Sequence, residues 1–204
     1  MSPRPRVAIL DYGMGNLRSV AKAVVRVGGD AVVTSDPSDA GRADAMVVPG
    51  VGAFGACMDG LRERGLDHAV LEFAEGGRPL LGVCLGLQVL FERSEEGDVA
   101  GLGILRGTVV RLPSDVKVPH MGWNDVTWKA RHPFAEGLNG DGRFYFVHSY
   151  ACLPEDDVTV GETEHGMRFA AAVGRGNLFG TQFHPEKSGD AGLRIYENLV
   201  KAAA

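Results

Sequence analysis

Leu80-Leu81-Gly82-Val83-Cys84-Leu85-Gly86-Leu87-Gln88 runs an apolar stretch into a helix-like segment, Leu85 to Phe91, through a bend flanked by two glycines. The expected structure is a buried strand, a sharp turn and a helix, with Cys84 at the bend. Such a turn lifts a side chain above the sheet, and glycines two residues before and two after remove side chains that would collide there. Upstream, the same alternation repeats. Val7 to Leu10 reads as a buried strand. After the turn Asp11 to Gly15, Asn16 can cap a helix whose apolar positions Leu17, Val20, Ala21, Val24 and Val25 share one face. Further strands are expected at Ala31 to Val33, Ala45 to Val48 and Pro79 to Val83. Helices are expected between Phe54 and Glu75, closed by Gly76-Gly77.

Downstream of Gly101 the pattern changes. Thr108 to Leu112, Val116 to Val118, Asn124 to Trp128, Arg143 to Val147, Phe169 to Val173 and Leu178 to Phe183 read as strands separated by short polar turns, before a last helix from Asp190 to Lys201. The fold expected is α/β: a three-layer sandwich with a mostly parallel central sheet and a β-rich second half. Residues 1–204 carry no linker, repeat or low-complexity segment that would cut them, so one domain is expected.

Composition narrows the function. Hydrophobic residues make up 45% and charged residues 23% of 204, the balance of a soluble globular protein. No apolar run approaches the ~18 residues of a membrane span. The basic start, Met1 to Arg6, is followed by too short an apolar stretch for a signal peptide, so a cytoplasmic protein is expected. A net charge of -5 without a Lys/Arg cluster disfavours nucleic acid. Cys57, Cys84 and Cys152 are too few and too far apart for a disulfide frame or a zinc site. The 29 glycines, about twice average usage, imply many tight turns.

The chemistry converges on Cys84. A helix starting after it would favour the thiolate, and the Leu85 N–H would point where an oxyanion forms. Cys57 and Cys152 lack that setting and read as structural. A thiol needs a base and the base an orienting partner. His184-Pro185-Glu186 supplies both, because residues i and i+2 of an extended segment face the same way and proline keeps His184 out of the helical region. His68, His132 and His165 read as surface or loop residues without such a partner. Gly50-Val51-Gly52-Ala53-Phe54-Gly55 has dinucleotide-binding spacing, yet the next strand ends on Cys84 instead of the acid that fingerprint expects. This loop suits the second half of an oxyanion hole better, and no phosphate-binding lysine loop accompanies it. No cofactor and no metal are therefore expected.

Taken together, Gly82-Val83-Cys84-Leu85-Gly86, the loop Pro49 to Phe54 and His184-Pro185-Glu186 resemble the class I, or triad, glutamine amidotransferases. Asp11 to Leu17, Pro119-His120-Met121-Gly122-Trp123-Asn124 and His148-Ser149-Tyr150 are similar, more narrowly, to the family of glutaminase subunits of imidazole glycerol phosphate synthase from histidine biosynthesis. Leu87 departs from that family, where a methionine is expected, an exchange of one apolar side chain for another. The resemblance implies that Cys84 is the nucleophile, His184 the base and Glu186 its orienting partner, with Gly52 and Leu85 at the oxyanion. It implies that glutamine lies against Gly52, Gln88, Ser149 and Tyr150. Asn16, Trp123 and Lys187 would face a cyclase subunit that uses the ammonia, in a heterodimer. Two alternatives stay open: the glutaminase subunit of another synthase, or a cysteine-elbow hydrolase of similar fold that is not an amidase.

Overall fold

The computed structural model describes residues 4–138 and 142–204. The start of the basic segment, Met1 to Pro3, lies outside them. Chain order is β1 (Arg6–Leu10), α1 (Leu17–Arg26), β2 (Asp30–Thr34), α2 (Pro37–Gly41), β3 (Ala45–Gly50), α3 (Phe54–Glu63), α4 (Leu66–Glu75), β4 (Leu80–Cys84) and α5 (Leu85–Gln88). Then follow β5 (Phe91–Ser94), β6 (Val99–Ala100), β7 (Leu105–Arg111), β8 (His120–Trp128), β9 (Gly142–His148), β10 (Tyr150–Pro154), β11 (Thr159–Glu164), β12 (Arg168–Arg175), β13 (Leu178–Thr181) and α6 (Gly189–Ala202).

Among the described residues the strands form a nine-stranded sheet, ordered β2-β1-β3-β4-β13-β12-β11-β8-β9, and a four-stranded sheet, β10-β7-β5-β6. The large sheet is mixed, which corrects the expectation of a mostly parallel one. From β2 to β13 neighbours are parallel, and from β13 to β9 they are antiparallel. The cause is connection length. Helical crossovers link the first strands, whereas β11 to β12 and β12 to β13 are joined by short turns that only antiparallel pairing accommodates.

Strand alternation divides the core between the two faces. Ala8, Leu10, Met46 and Val48 join Met58, Leu61 and Phe73 of α3 and α4 on one side. Val7, Ile9, Ala45 and Val47 join Val20 and Val24 of α1 and Ile195 and Leu199 of α6 on the other. A helix–sheet–helix sandwich results, with the four-stranded sheet packed on the α3/α4 side through Phe91, Leu105, Val109 and Cys152.

Several local expectations change. Asn16 occupies the cap position of α1 but makes no side-chain capping bond. Val116 to Val118 is not a strand: the chain runs as turns into β8, with Val116 lying against Gly166. Leu85 to Phe91 holds one helical turn only, and Phe91 already belongs to β5. β13 stops at Thr181, two residues earlier than read. No helix among the described residues is long and apolar enough to cross a membrane.

Candidate active site

Cys84 ends β4, in the middle of the large sheet, with φ 54° and ψ -108°, a conformation that L-residues rarely adopt. The neighbouring glycines make the bend possible. A Cβ on Gly86 would lie 1.7 Å from the Val48 carbonyl oxygen, and one on Gly82 2.7 Å from the Gly86 carbonyl oxygen. The elbow is therefore pressed against β3 with no room for side chains. Cys84 is 5% exposed and opens onto a cavity of about 320 Å³ that Leu85, Gln88, Gly52 and His184 also line. Because α5 is a single turn, its dipole is weaker than that of the longer helix read from sequence.

His184 leaves the sheet in extended conformation, and Pro185 starts a short 3-10 turn through Lys187. Glu186 is thus folded back by that turn, not carried alongside by an extended strand as expected. The outcome is the same pairing: His184 Nδ1 lies 2.9 Å from Glu186 Oε1, with side-chain exposures of 2% and 1%. Ser188 clamps the turn to β9, its hydroxyl donating to the His184 carbonyl at 2.7 Å and accepting from the Tyr145 N–H at 3.0 Å. Burial pulls the imidazole pKa down, but Cys84 and Glu186 outweigh it and raise it to about 10. Nε2 itself has no hydrogen-bond partner of good geometry among the described residues, yet Cys84 lies close enough to raise the imidazole through both hydrogen bonding and charge. With its value raised to about 10 the ring is protonated at neutral pH, so an imidazolium stands beside the Cys84 sulfur with a proton to give.

The remaining expected residues sort as follows. Gln88, 4% exposed, donates through Nε2 to the Tyr150 carbonyl at 2.9 Å and to Gln182 Oε1 at 3.1 Å. Both its donors are spent, which leaves Oε1 as its free acceptor. Ser149 and Tyr150 form part of the cavity wall, as does the loop after β3, where Gly52 has φ +96° and a Cβ would strike Met14 at 2.4 Å. Trp123 is 50% exposed, not a core aromatic, and packs edge-on to Tyr145 at 6.2 Å. Lys187 lies over the same Tyr145 ring at 5.6 Å. Asn16 sits at the start of α1, away from the cavity wall. Cys57 and Cys152 are fully buried, and burial pushes the Cys57 thiol up to about 12.

Sequence reading missed four side chains. Glu96 lines the cavity as its carboxylate, its Oε2 accepting from the Phe54 N–H at 2.8 Å; nothing around Ser94-Glu95-Glu96 marks it. Gln182 lies against Cys84, a placement its neighbour His184 hinted at. His148 and His120 are buried polar residues. His148 Nδ1 donates to the Tyr150 carbonyl at 2.8 Å, and His120 Nδ1 is 2.9 Å from His148 Nε2. Burial, followed by His165, lowers His120 to about 4; burial first, with neighbouring histidines adding to it, takes His148 down to about 3. His165, read as a lone surface residue, stacks on His120 at 4.2 Å. His132 stacks on Phe179 at 5.0 Å, while His68 is exposed. No cluster of three or more His, Cys, Asp or Glu able to hold a metal ion occurs among the described residues.

Comparison with known proteins gives the family. Glutamine amidotransferase class-I matches residues 8–202. Proteins named imidazole glycerol phosphate synthase subunit HisH are similar over nearly the whole chain. The one from Moorella thermoacetica is 53% identical, covering 95% of this chain and 93% of its own. That from Methanopyrus kandleri is 51% identical, covering 98% and 99%. The solved structure of PurLQS from Thermotoga maritima superposes with a TM-score of 0.79 at 22% identity, covering 98% of this chain and 99% of that one, which speaks to the fold. With the match spanning both the Cys84 elbow and the His184-Glu186 pair, the chain belongs to the class I glutamine amidotransferase family.

Proposed function

We propose that this chain, acting as one domain over residues 1–204, is the glutaminase subunit of an imidazole glycerol phosphate synthase and supplies ammonia to a cyclase subunit in a heterodimer. Two things carry the reading together: Cys84 and the paired His184-Glu186 facing one cavity, and identity of about 50% to subunits of that name over nearly their full length. Three buried free cysteines suit a reduced cytoplasm.

Glutamine enters with its α-ammonium toward the Glu96 carboxylate and the free Gln88 Oε1, beside Ser149 and Tyr150. The Cys84 thiolate attacks the side-chain amide carbon. The carbonyl π pair moves to oxygen, held by the N–H groups of Leu85 and the Gly52 loop. The imidazolium of His184 gives its proton to the departing nitrogen, the C–N bond breaks, and ammonia leaves behind a thioester. Water then adds with His184 taking its proton, and the C–S bond breaks to release glutamate and the thiolate. Glu186 holds the imidazole in place and stabilises its charged form through both steps.

The docking face is built from Asn16, Trp123 and Lys187, with Met121, 62% exposed, beside Trp123 on β8. Exposed apolar side chains ringed by polar ones are the character of an interface. The loop Gly50 to Gly52 is the element the partner biases, since backbone rotation there makes or unmakes an oxyanion donor. The test is steady-state glutamine hydrolysis by the chain alone, with a cyclase subunit, and with the cyclase and its substrate. Rising rates across the three support the reading. Hydrolysis that ignores the cyclase points to another synthase, and none in any state to a hydrolase of different specificity.

A further inference from the structure

Gln182 follows β13 with no exposed surface, in a position the triad does not account for. Its Nε2 is 3.7 Å from Cys84 Sγ, within the range of hydrogen bonds to sulfur. Which end of this amide faces the sulfur is set by its surroundings. The Tyr150 carbonyl can only accept, so the Gln88 group bonded to it at 2.9 Å is the NH₂. The other hydrogen of that NH₂ goes to Gln182 at 3.1 Å, which makes the contacted end of Gln182 its oxygen. A second donor, the Cys152 thiol, approaches the same oxygen at 3.9 Å. The NH₂ of Gln182 is thereby left pointing at Cys84.

A second contact of the sulfur carries the opposite polarity. Cys84 donates its S–H to the Val147 carbonyl at 3.8 Å. Ionisation removes that donor and leaves the carbonyl oxygen facing an anion. The Gln182 N–H then bonds to the charged sulfur, and bonds to charged groups are about twice as strong as neutral ones. We infer that Gln182 is a further catalytic residue, whose side-chain N–H stabilises the Cys84 thiolate, held in that orientation by Gln88 and the Tyr150 carbonyl. The device extends outward through His148, which donates to the same carbonyl, and His120, whose Nε2 accepts from Asn124 at 3.2 Å on β8.

This inference rests on Cys84 being the nucleophile, and a small neutral alkylating agent reads its sulfur without involving glutamine. Iodoacetamide labelling, mapped to individual cysteines by mass spectrometry, is followed at pH 7 in the natural chain and in Gln182→Met, which keeps length and volume but has no donor. Labelling of Cys84 should slow on the order of ten- to a hundredfold in a variant with unchanged circular dichroism, as expected for losing a bond to a charged atom. A folded Gln182→Met labelled at the natural rate would overturn the inference while leaving the triad intact. An unreactive Cys84 in the natural chain would instead remove the nucleophile assignment itself. Should Gln182→Met fail to fold, the natural chain answers through its Gln182 side-chain amide protons in NMR. One of them moves downfield in step with the rise of Cys84 reactivity with pH if the bond forms, and stays still if it does not.

Discussion

Replacing Glu186 by glutamine isolates what the carboxylate does for His184. The exchange keeps shape and still offers an oxygen to Nδ1, but removes the charge. The bond is 2.9 Å and both side chains are 2% exposed or less, so water screens it little. A hydrogen bond to a charged group contributes about 1.5–3 kcal/mol and the neutral one that remains about 0.5–1.5, a loss of about 1–1.5 kcal/mol. At 1.36 kcal/mol per tenfold, kcat should fall roughly five- to fifteenfold, with KM for glutamine little changed because Glu186 does not line the cavity. His184→Ala, which removes the base itself, should lose more. The pH profile carries a second signature. Glu186 is one of the groups that hold the imidazolium at about 10 against its burial. Without it the imidazolium loses its proton at lower pH, and the alkaline limb of kcat moves toward neutrality. Glutamine hydrolysis by the complex with the cyclase, across pH 6 to 11, measures both. Natural kcat with an unmoved alkaline limb would refute the pairing as a catalytic element.

Three further outcomes follow from the geometry. Gly86→Ala should be destabilised by at least ~1–3 kcal/mol, since its Cβ would fall 1.7 Å from a backbone oxygen of a central strand. Gly55→Ala in α3, 3.6 Å from the nearest side-chain atom, should be neutral or better in the same urea titration. Glu96→Gln keeps the bond to the Phe54 N–H but removes the negative charge from the cavity, so KM for glutamine should rise about tenfold with kcat largely kept. His120 and His148 stay neutral in the fold with values lowered to about 4 and about 3, whereas the unfolded chain protonates them near 6.5. The unfolded state thus binds more protons as pH drops below 6.5, and stability falls by up to ~1.4 kcal/mol per unit for each histidine until the folded values are reached. Urea unfolding at pH 7.5, 6 and 5 should show this decline, and His148→Gln should flatten it.

The parts of this molecule that were legible in its sequence are those where one local constraint dominates. Glycines two residues either side of Cys84 announce the elbow because no side chain fits at either, and the continuous apolar runs Val7 to Leu10 and Ala45 to Val48 announce the buried parallel strands. Sheet direction in the second half was legible only in the short connections between strands, a signal that reading the apolar pattern alone passes over. Thr159–Glu164 and Arg168–Arg175 are placed by which strand they meet, and apolar pattern does not encode the partner's direction. The Leu85 helix was overread because its apolar run continues into β5, where Phe91 pairs with Leu105. The roles of Glu96, Gln182 and the His120-His148 pair were not readable for a related reason. Each acquires its meaning from a side chain or backbone group between 28 and 98 residues away along the chain, which only the fold brings near.

The account stands on Cys84 forming the thioester. A glutamine analogue carrying an electrophilic carbon in place of the amide, incubated with the chain and its cyclase partner and followed by peptide mass spectrometry, tests this directly. One adduct on Cys84, prevented by excess glutamine and accompanied by loss of hydrolysis, is the predicted result. Inactivation with the label on Cys57 or Cys152, or hydrolysis that persists with Cys84 fully labelled, would contradict it.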